Sequence, residues 1–303
     1  MTRVLASDGM DKSAVAKLTE SGYEVVQQFY EPDELAKQVK EFDVLVVRSA
    51  TKVRQPIIDA AVEGGRLKLI IRGGVGVDNI DVEYAKSKGI DVTNTPNASS
   101  DAVAELAIGH MFSLARFIYI ANVTMREGKW EKKQYAGGIE LAGKTLGLIG
   151  CGRIGRSVGK KALALGMDVI YTDPLGPLPE NEPLRCVSSD EVLSKSDFIS
   201  LHVPKSDKPI VDKAEFAKMK DGVYVVNTAR GGLVAEDALI EALDSGKVAA
   251  AAIDVYAEEP SKNEKLYTHP KISLTPHIGA STKEAQQRIG SEIVSIITDT
   301  FGK

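Results

Sequence analysis

Cysteine is scarce in this chain: 303 residues contain two, Cys151 and Cys186, with no metal-ligand spacing around either. A disulfide-built scaffold is excluded, no metal is expected, and a reducing compartment, the cytoplasm, is the expected setting. Charge of one sign is also missing. A formal net charge of −4 provides no electrostatic reason to expect nucleic acid or an anionic membrane as partner, so an anionic ligand must be held by local charge. Long apolar runs are absent as well. The start, Met1 to Asp8, is too poor in apolar residues for a signal peptide. The most apolar stretch, Ala102 to Ala121, is interrupted by Glu105, His110 and Arg116. It reads as one helix buried in protein or at a subunit contact rather than in lipid. No repeat, low-complexity tract or long linker is visible.

What the chain does have is alternation. Strand-like runs at Arg3 to Ala6, Glu24 to Val26, Val44 to Val47, Leu69 to Ile71 and Asp91 to Thr93 alternate with helical patterns, as a parallel sheet requires. Further runs follow at Thr145 to Ile149, Asp168 to Thr172, Phe198 to Val203, Val223 to Asn227, Ala250 to Val255 and Ile272 to Leu274. Thr95-Pro96 and Thr275-Pro276 read as chain crossings. Beyond the second, Ser281-Thr-Lys-Glu284 has the pattern of a capping box, and Ala285, Ile289, Ile293 and Ile296 recur on one helical face. The expected architecture is α/β with two doubly wound parallel-sheet domains, flavodoxin-like and Rossmann, and an active site in the cleft between them. The first comprises 1–95 plus 281–303, and the second 96–280.

Gly150-Cys-Gly152-Arg-Ile-Gly155 joins a strand to a helix. Gly150 permits the tight turn, Gly152 lets a pyrophosphate approach the backbone, and Gly155 allows helix and strand to pack closely. The helix N-terminus, carrying Arg153 and Ile154, adds free N–H donors and a positive dipole. Asp173 ends the next strand, eighteen residues after Gly155, where an acidic residue about twenty residues on binds the adenine ribose. Its carboxylate would repel a 2′-phosphate, so the expected cofactor is NAD rather than NADP. Cys151, in the variable position of the turn, reads as a small packing residue.

Three further segments, Asn227-Thr-Ala-Arg230-Gly-Gly, Asp254-Val-Tyr-Ala-Glu258-Glu259-Pro260 and Pro276-His277-Ile-Gly-Ala-Ser281, extend the pattern. With them the whole chain resembles the D-isomer-specific 2-hydroxyacid dehydrogenases. Oxidising a secondary alcohol beside a carboxylate needs a hydride acceptor, a base and a cation. His277 can move the proton, because imidazole titrates near neutrality. Glu259 would favour and orient the protonated ring, and Arg230 offers a planar fork for the carboxylate. The resemblance assigns these three residues the same roles. It also implies cofactor contacts from Val203, Thr228, Ala229, Asp254, Gly279 and Ala280, with Asp254 facing the nicotinamide carboxamide. His110, His202 and His269 read as structural histidines, and Glu258 as a solvated neighbour of Glu259.

Substrate contacts are expected from the first domain. Backbone N–H groups of Gly73, Gly74, Val75 and Gly76 would approach a carboxylate as in other anion nests. Arg48 and Arg72 match family positions that hold a phosphate on the substrate's far end. Lys132 stands where the family often has an Arg supplied by a neighbouring subunit, keeping the charge without the bidentate fork; the alternative is a solvated face of Lys129, Lys132 and Lys133. The partners implied are a small anionic 2-hydroxy or 2-keto acid, 3-phospho-D-glycerate foremost, and a second copy joined through the nucleotide-binding domain to form a homodimer. Two other readings stand beside this one: a reductase of glyoxylate or hydroxypyruvate, and an NAD-sensing corepressor-like binding protein. The sequence stops at Lys303, about where the catalytic unit of the resemblance ends, so feedback through a C-terminal regulatory domain is not expected.

Overall fold

The computed structural model describes residues 1–179 and 183–302. In chain order the elements are β1 (Arg3–Ala6), α1 (Lys12–Glu20), β2 (Glu24–Gln27), α2 (Pro32–Gln38), β3 (Val44–Val47), α3 (Gln55–Gly64), β4 (Leu69–Arg72), α4 (Val82–Ser87) and β5 (Asp91–Asn94). Then come α5 (Ser100–Ala115), α6 (Ile118–Arg126), β6 (Thr145–Ile149), α7 (Arg153–Ala164), β7 (Asp168–Thr172), β8 (Arg185–Cys186), α8 (Ser189–Lys195) and β9 (Phe198–Leu201). The chain continues with α9 (Lys213–Lys218), β10 (Val223–Asn227), α10 (Glu236–Asp244), β11 (Val248–Ile253), α11 (Glu264–Tyr267), β12 (Ile272–Leu274) and α12 (Lys283–Phe301).

The chain forms two compact units, Met1–Ser99 with Ala280–Lys303, and Ser100–Gly279. The first carries a five-stranded parallel sheet ordered β2-β1-β3-β4-β5. Its strands feed two cores by simple alternation. Val44 and Val46 face one side with Val4 and Ala6, while Leu45 and Val47 face the other with Leu5, as the period of two dictates. Helix α12 covers the first face with Ile289, Ile293 and Ile297. Gly290 lets it lie against α1, since a Cβ there would sit 2.8 Å from that of Ala14.

The second unit has a seven-stranded parallel sheet ordered β12-β11-β10-β9-β6-β7-β8. Layers of buried side chains lie on its two faces, one around Leu146, Leu148, Met111 and Val158, the other around Ile199, Val225, Leu239 and Ile253. Strand order reverses at β1/β3 in the first unit and at β6/β9 in the second. At such switch points the loops leaving the strands diverge and leave a crevice for ligand.

Two expectations need correction. The stretch from Ala102 to Ala121 is not one helix. It breaks at Phe117, which takes φ +55° and packs its ring on Tyr135 with centroids 5.8 Å apart, so α5 and α6 meet at 66°. Helix α5 is buried along much of its length, whereas α6 buries no residue. Second, α12 is capped by Thr282, whose hydroxyl accepts from the Ala285 amide at 3.1 Å. Ser281 lies outside the helix, and the box with Glu284 does not form. The apolar stripe of α12 lies on the core as expected, with Ala285, Ile289 and Ile293 buried and Ile296 packed against the same cluster, and Ile297 extends it. The short strand β8 went unread. Two residues hold too little pattern to stand out.

Candidate active site

Residues at the carboxyl ends of β10, β11 and β12 build a hydrogen-bonded constellation in the second unit. Beyond β10, Asn227 organises the turn: its side-chain oxygen accepts from the Ala229 amide at 3.1 Å and its nitrogen donates to the Arg230 carbonyl at 2.9 Å. Arg230 donates from Nη1 to the Ala229 carbonyl at 2.6 Å. Gly231 follows because nothing larger fits. A Cβ there would lie 1.7 Å from the Tyr256 carbonyl oxygen, so this glycine lets the Arg230 turn touch the turn beyond β11.

That second turn presents Glu259. Its Oε1 accepts from the Tyr256 amide at 3.1 Å and its Oε2 pairs with His277 Nδ1 at 2.7 Å. Burial pushes the Glu259 carboxyl up, but the hydrogen bond and charge of His277, with the Tyr256 amide and the Arg230 charge, outweigh it and hold the group below the usual carboxylate range. Three residues far apart in sequence thus sense one another electrostatically. Because the carboxylate accepts, Nδ1 carries the shared proton and Nε2 is left to exchange a proton with a ligand.

His277 itself sits at φ +53°, a left-handed conformation that a non-glycine side chain adopts only when its surroundings hold it there. Asp254 provides the hold. It is fully buried and accepts from the Thr275 hydroxyl at 2.6 Å and the Ile278 amide at 2.9 Å through Oδ1, and from the Gly279 amide at 3.0 Å through Oδ2. These donors flank His277 on both sides. The Tyr256 hydroxyl adds a bond to the Thr275 carbonyl at 2.8 Å. Further back, His110 Nε2 lies 3.0 Å from the Thr275 hydroxyl oxygen; burial pushes this imidazole down, opposed only by the Asp254 charge, so it remains neutral.

At the switch point, Gly150 takes φ +92°, and a Cβ on it would lie 2.6 Å from the His202 carbonyl oxygen. A Cβ on Gly155 would meet the Gly150 carbonyl oxygen at 2.4 Å. Gly152, which precedes the first turn of α7, faces open space with nothing within 4 Å. This is the cradle a pyrophosphate needs. Asp173 lies beside it, accepting from the Cys151 amide at 2.8 Å and the Leu175 amide at 2.9 Å. Arg153 is exposed, while Ile154 packs into the core. Val203 packs on the Gly150 turn. Thr228 and Ala229 are buried, and Thr228 Oγ1 has no hydrogen-bond partner among the described residues. Ala280 falls in the other compact unit.

In the first unit, Arg48 follows β3 and Arg72 ends β4. The glycine loop after Arg72 differs from the expected nest, because the Gly73 amide donates to the Val47 carbonyl at 2.8 Å and extends the sheet. Only the amides from Gly74 to Gly76 remain candidates for an anion. Arg72 lies along this loop, with Nη1 3.3 Å from the Gly73 carbonyl, and Gly74 at φ +143° leaves room for its guanidinium. Lys132 is exposed beyond α6. Glu258 pairs with Lys262 at the surface.

Sequence reasoning missed Asn227 and Tyr256 as organisers of the two turns, and it missed Glu236, whose Oε1 accepts from the Ala257 amide at 3.0 Å. An Asn at a strand end is a turn signal that could have been read. The Asp254 network had no such signal.

The chain matches the family model described as D-isomer specific 2-hydroxyacid dehydrogenase, NAD binding domain, over residues 108–279. Among curated proteins it is 52% identical to a hydroxypyruvate reductase of Thermotoga maritima, over 99% of this chain and 98% of that protein. It is 46% identical to a D-3-phosphoglycerate dehydrogenase of Methanocaldococcus jannaschii, over 98% of this chain and 57% of that longer protein. Among solved structures, a glyoxylate reductase from Paecilomyes thermophila superposes with a TM-score of 0.87 at 32% identity, covering 100% of this chain and 96% of the other. The chain therefore belongs to the D-isomer-specific 2-hydroxyacid dehydrogenases. It is an oxidoreductase of that family, and its second unit is an NAD-binding domain of Rossmann type.

Proposed function

We propose that this enzyme interconverts 3-phospho-D-glycerate and 3-phosphohydroxypyruvate with NAD, the first step of serine synthesis by the phosphorylated route. The observation that carries the choice is Arg48, whose guanidinium makes no ion pair or side-chain hydrogen bond among the described residues and lines a cavity in the first unit. An arginine left open in this way suits a phosphate better than a short unphosphorylated acid.

When bound, the cofactor would accept a hydride from the substrate's second carbon as NAD+ or supply one to it as NADH. In the reductive direction His277 donates its Nε2 proton to the carbonyl oxygen, and Glu259 holds the ring in place. Arg230 grips the substrate carboxylate. In the oxidative direction the neutral imidazole takes the hydroxyl proton. Gly150, Gly152 and Gly155 would cradle the pyrophosphate and Asp173 would hold the ribose, while Thr228, whose hydroxyl oxygen has no partner among the described residues, would be a further cofactor contact. Substrate binding also draws on Arg72, the Gly74 to Gly76 amides and Lys132.

A second copy joining through α6 fits the same reading. That helix leaves Ile118, Val123 and Met125 exposed, with Trp130 just beyond, apolar side chains that a partner would cover. The free thiols of Cys151 and Cys186 suit a reducing cytoplasm.

One observation favours a second reading. The hydroxypyruvate reductase matches over 98% of its own length, whereas the chain spans only about half of the phosphoglycerate dehydrogenases it resembles, 57% in the archaeal case. Arg48→Ala separates the two. The proposal predicts that it lowers kcat/KM for phosphohydroxypyruvate about ten- to a hundredfold relative to hydroxypyruvate, the worth of one charge-assisted contact. An equal loss on both substrates favours the reductase.

A further inference from the structure

Helix α5 backs the segment that carries His277 at two points, both within the second unit. Val103 and His110 stand seven residues apart, two turns along one buried face of α5. Val103 meets one end of the segment: a Cβ on Gly279 would lie 3.3 Å from Val103 Cγ2 and 3.2 Å from Asp254 Oδ2. His110 meets the other end, with Nε2 3.0 Å from Thr275 Oγ1 and Nδ1 3.3 Å from Ser273 Oγ. Between those two ends lies His277, at φ +53°.

The hydrogen positions follow from the donors and acceptors present. The Thr275 hydroxyl has one hydrogen, which it donates to Asp254 Oδ1 at 2.6 Å, so towards His110 it can only accept. Nε2 of His110 therefore carries a hydrogen. Burial pushes this imidazole down and keeps it neutral, which leaves Nδ1 to accept from the Ser273 hydroxyl. Ser273, His110 and Thr275 thus form one row of hydrogen bonds donating towards the buried Asp254 carboxylate, and bonds aligned in this way strengthen one another. The same carboxylate accepts from the Ile278 and Gly279 amides and so holds the backbone on the far side of His277. An apolar side chain at position 110 would bury more readily among the alanines, Met111 and Leu114 of α5. What imidazole adds is a donor aimed at Thr275.

We infer that His110 is a positioning residue for the acid–base step: through Thr275 and Asp254 it holds His277 in its left-handed conformation, with Nδ1 against Glu259 and Nε2 presented to the ligand. The inference rests on the reading of His277 as the proton donor and extends it to a buried side chain on α5. Loss of the donor frees the Thr275 hydroxyl to turn, loosens its hold on Asp254 and lets the backbone at His277 relax. A displacement of about 1 Å at a reacting group can lower the rate about a hundredfold.

The test measures kcat and KM with NADH and whichever of phosphohydroxypyruvate, hydroxypyruvate and glyoxylate the wild type reduces fastest, so the outcome does not depend on the identity of the substrate. His110→Leu removes the donor and keeps a bulky side chain, whereas His110→Gln keeps an N–H near the position of Nε2. His110→Leu is expected to lower kcat about ten- to a hundredfold with KM within a few-fold of wild type, and His110→Gln to restore most of the loss. In a His277→Ala background the leucine substitution should cost no more than about twofold, because the group it positions is gone. An equal proportional loss in both backgrounds overturns the inference, as does full turnover in His110→Leu. Thr275→Val removes the same link from its other end and carries the test if the leucine variant does not fold; an unchanged kcat in that variant overturns the inference too. Near-normal turnover in His277→Ala alone would instead remove the acid–base reading, and the inference with it.

Discussion

His277 Nδ1 and Glu259 Oε2 lie 2.7 Å apart although eighteen residues separate them in sequence. The contact joins the loop after β12 to the turn after β11 and fixes which imidazole nitrogen remains available. His277→Ala is expected to lower turnover about 10²- to 10⁴-fold, the usual contribution of a general acid–base group, with NADH affinity within a few-fold of wild type. Steady-state kinetics and NADH fluorescence titration check the two halves separately. Near-normal turnover would remove His277 from the chemistry.

Glu259→Gln keeps the shape of the pair and removes its charge. Burial pushes the Glu259 carboxyl up, but the hydrogen bond and charge of His277 outweigh it and hold the group below the usual carboxylate range, so the pair stays intact until the carboxyl protonates at low pH; removing the carboxylate removes that acid limb from the profile of kcat/KM. An unchanged profile of kcat/KM against pH contradicts the pairing.

Asp173 accepts the Cys151 amide hydrogen beside the glycine turn, which places its side chain at the proposed cofactor cradle. Asp173→Ser is expected to raise kcat/KM for NADPH relative to NADH by at least tenfold, since it removes both the ribose contact and the repulsion of a 2′-phosphate. Equal efficiency of the wild type with the two cofactors would count against that role.

Gly231→Ala places a Cβ 1.7 Å from the Tyr256 carbonyl oxygen, a clash with backbone that no rotamer relieves. A loss of about 3 kcal/mol is expected, at the upper end for overpacking, with activity falling further because both turns shift. Urea unfolding measures the first effect. A variant as stable as wild type would show that the turns separate freely.

His202 sits under the glycine turn with Nδ1 shut off from solvent and its Nε2 2.8 Å from the Ser200 hydroxyl, and burial pushes this imidazole down to about 4. A group depressed in the folded state contributes stability present above its unfolded value near 6.5, and that contribution is lost as pH falls towards the folded value. Between pH 7 and 4.5 the loss is about 2 to 3 kcal/mol. His202→Asn should lose correspondingly less over the same interval in urea unfolding. Identical acid sensitivity in both proteins would place the titration elsewhere.

The two parallel sheets were legible because short strand-like runs alternate regularly with helical patterns, and eleven such runs sit at the observed strands. Strand β8, two residues long, gave no such run. The break at Phe117 depends on a ring contact with Tyr135, a tertiary event that helical periodicity cannot register. Choosing Thr282 over Ser281 as cap is a choice between two good capping residues. At the site, glycine spacing marked the cradle from sequence alone, since its constraint is local. The engagement of Gly73 by Val47 and of Asp254 by Thr275, Ile278 and Gly279 is set by neighbours more than twenty residues away, and nothing local announces it.

The most direct test of the proposed activity is an NADH-coupled comparison of phosphohydroxypyruvate, hydroxypyruvate and glyoxylate with the purified protein. The account predicts the highest kcat/KM for phosphohydroxypyruvate, by about tenfold or more over hydroxypyruvate, as expected when a phosphate adds at least one charge-assisted contact. Equal or better use of hydroxypyruvate or glyoxylate would contradict it and make the enzyme a reductase of unphosphorylated keto acids.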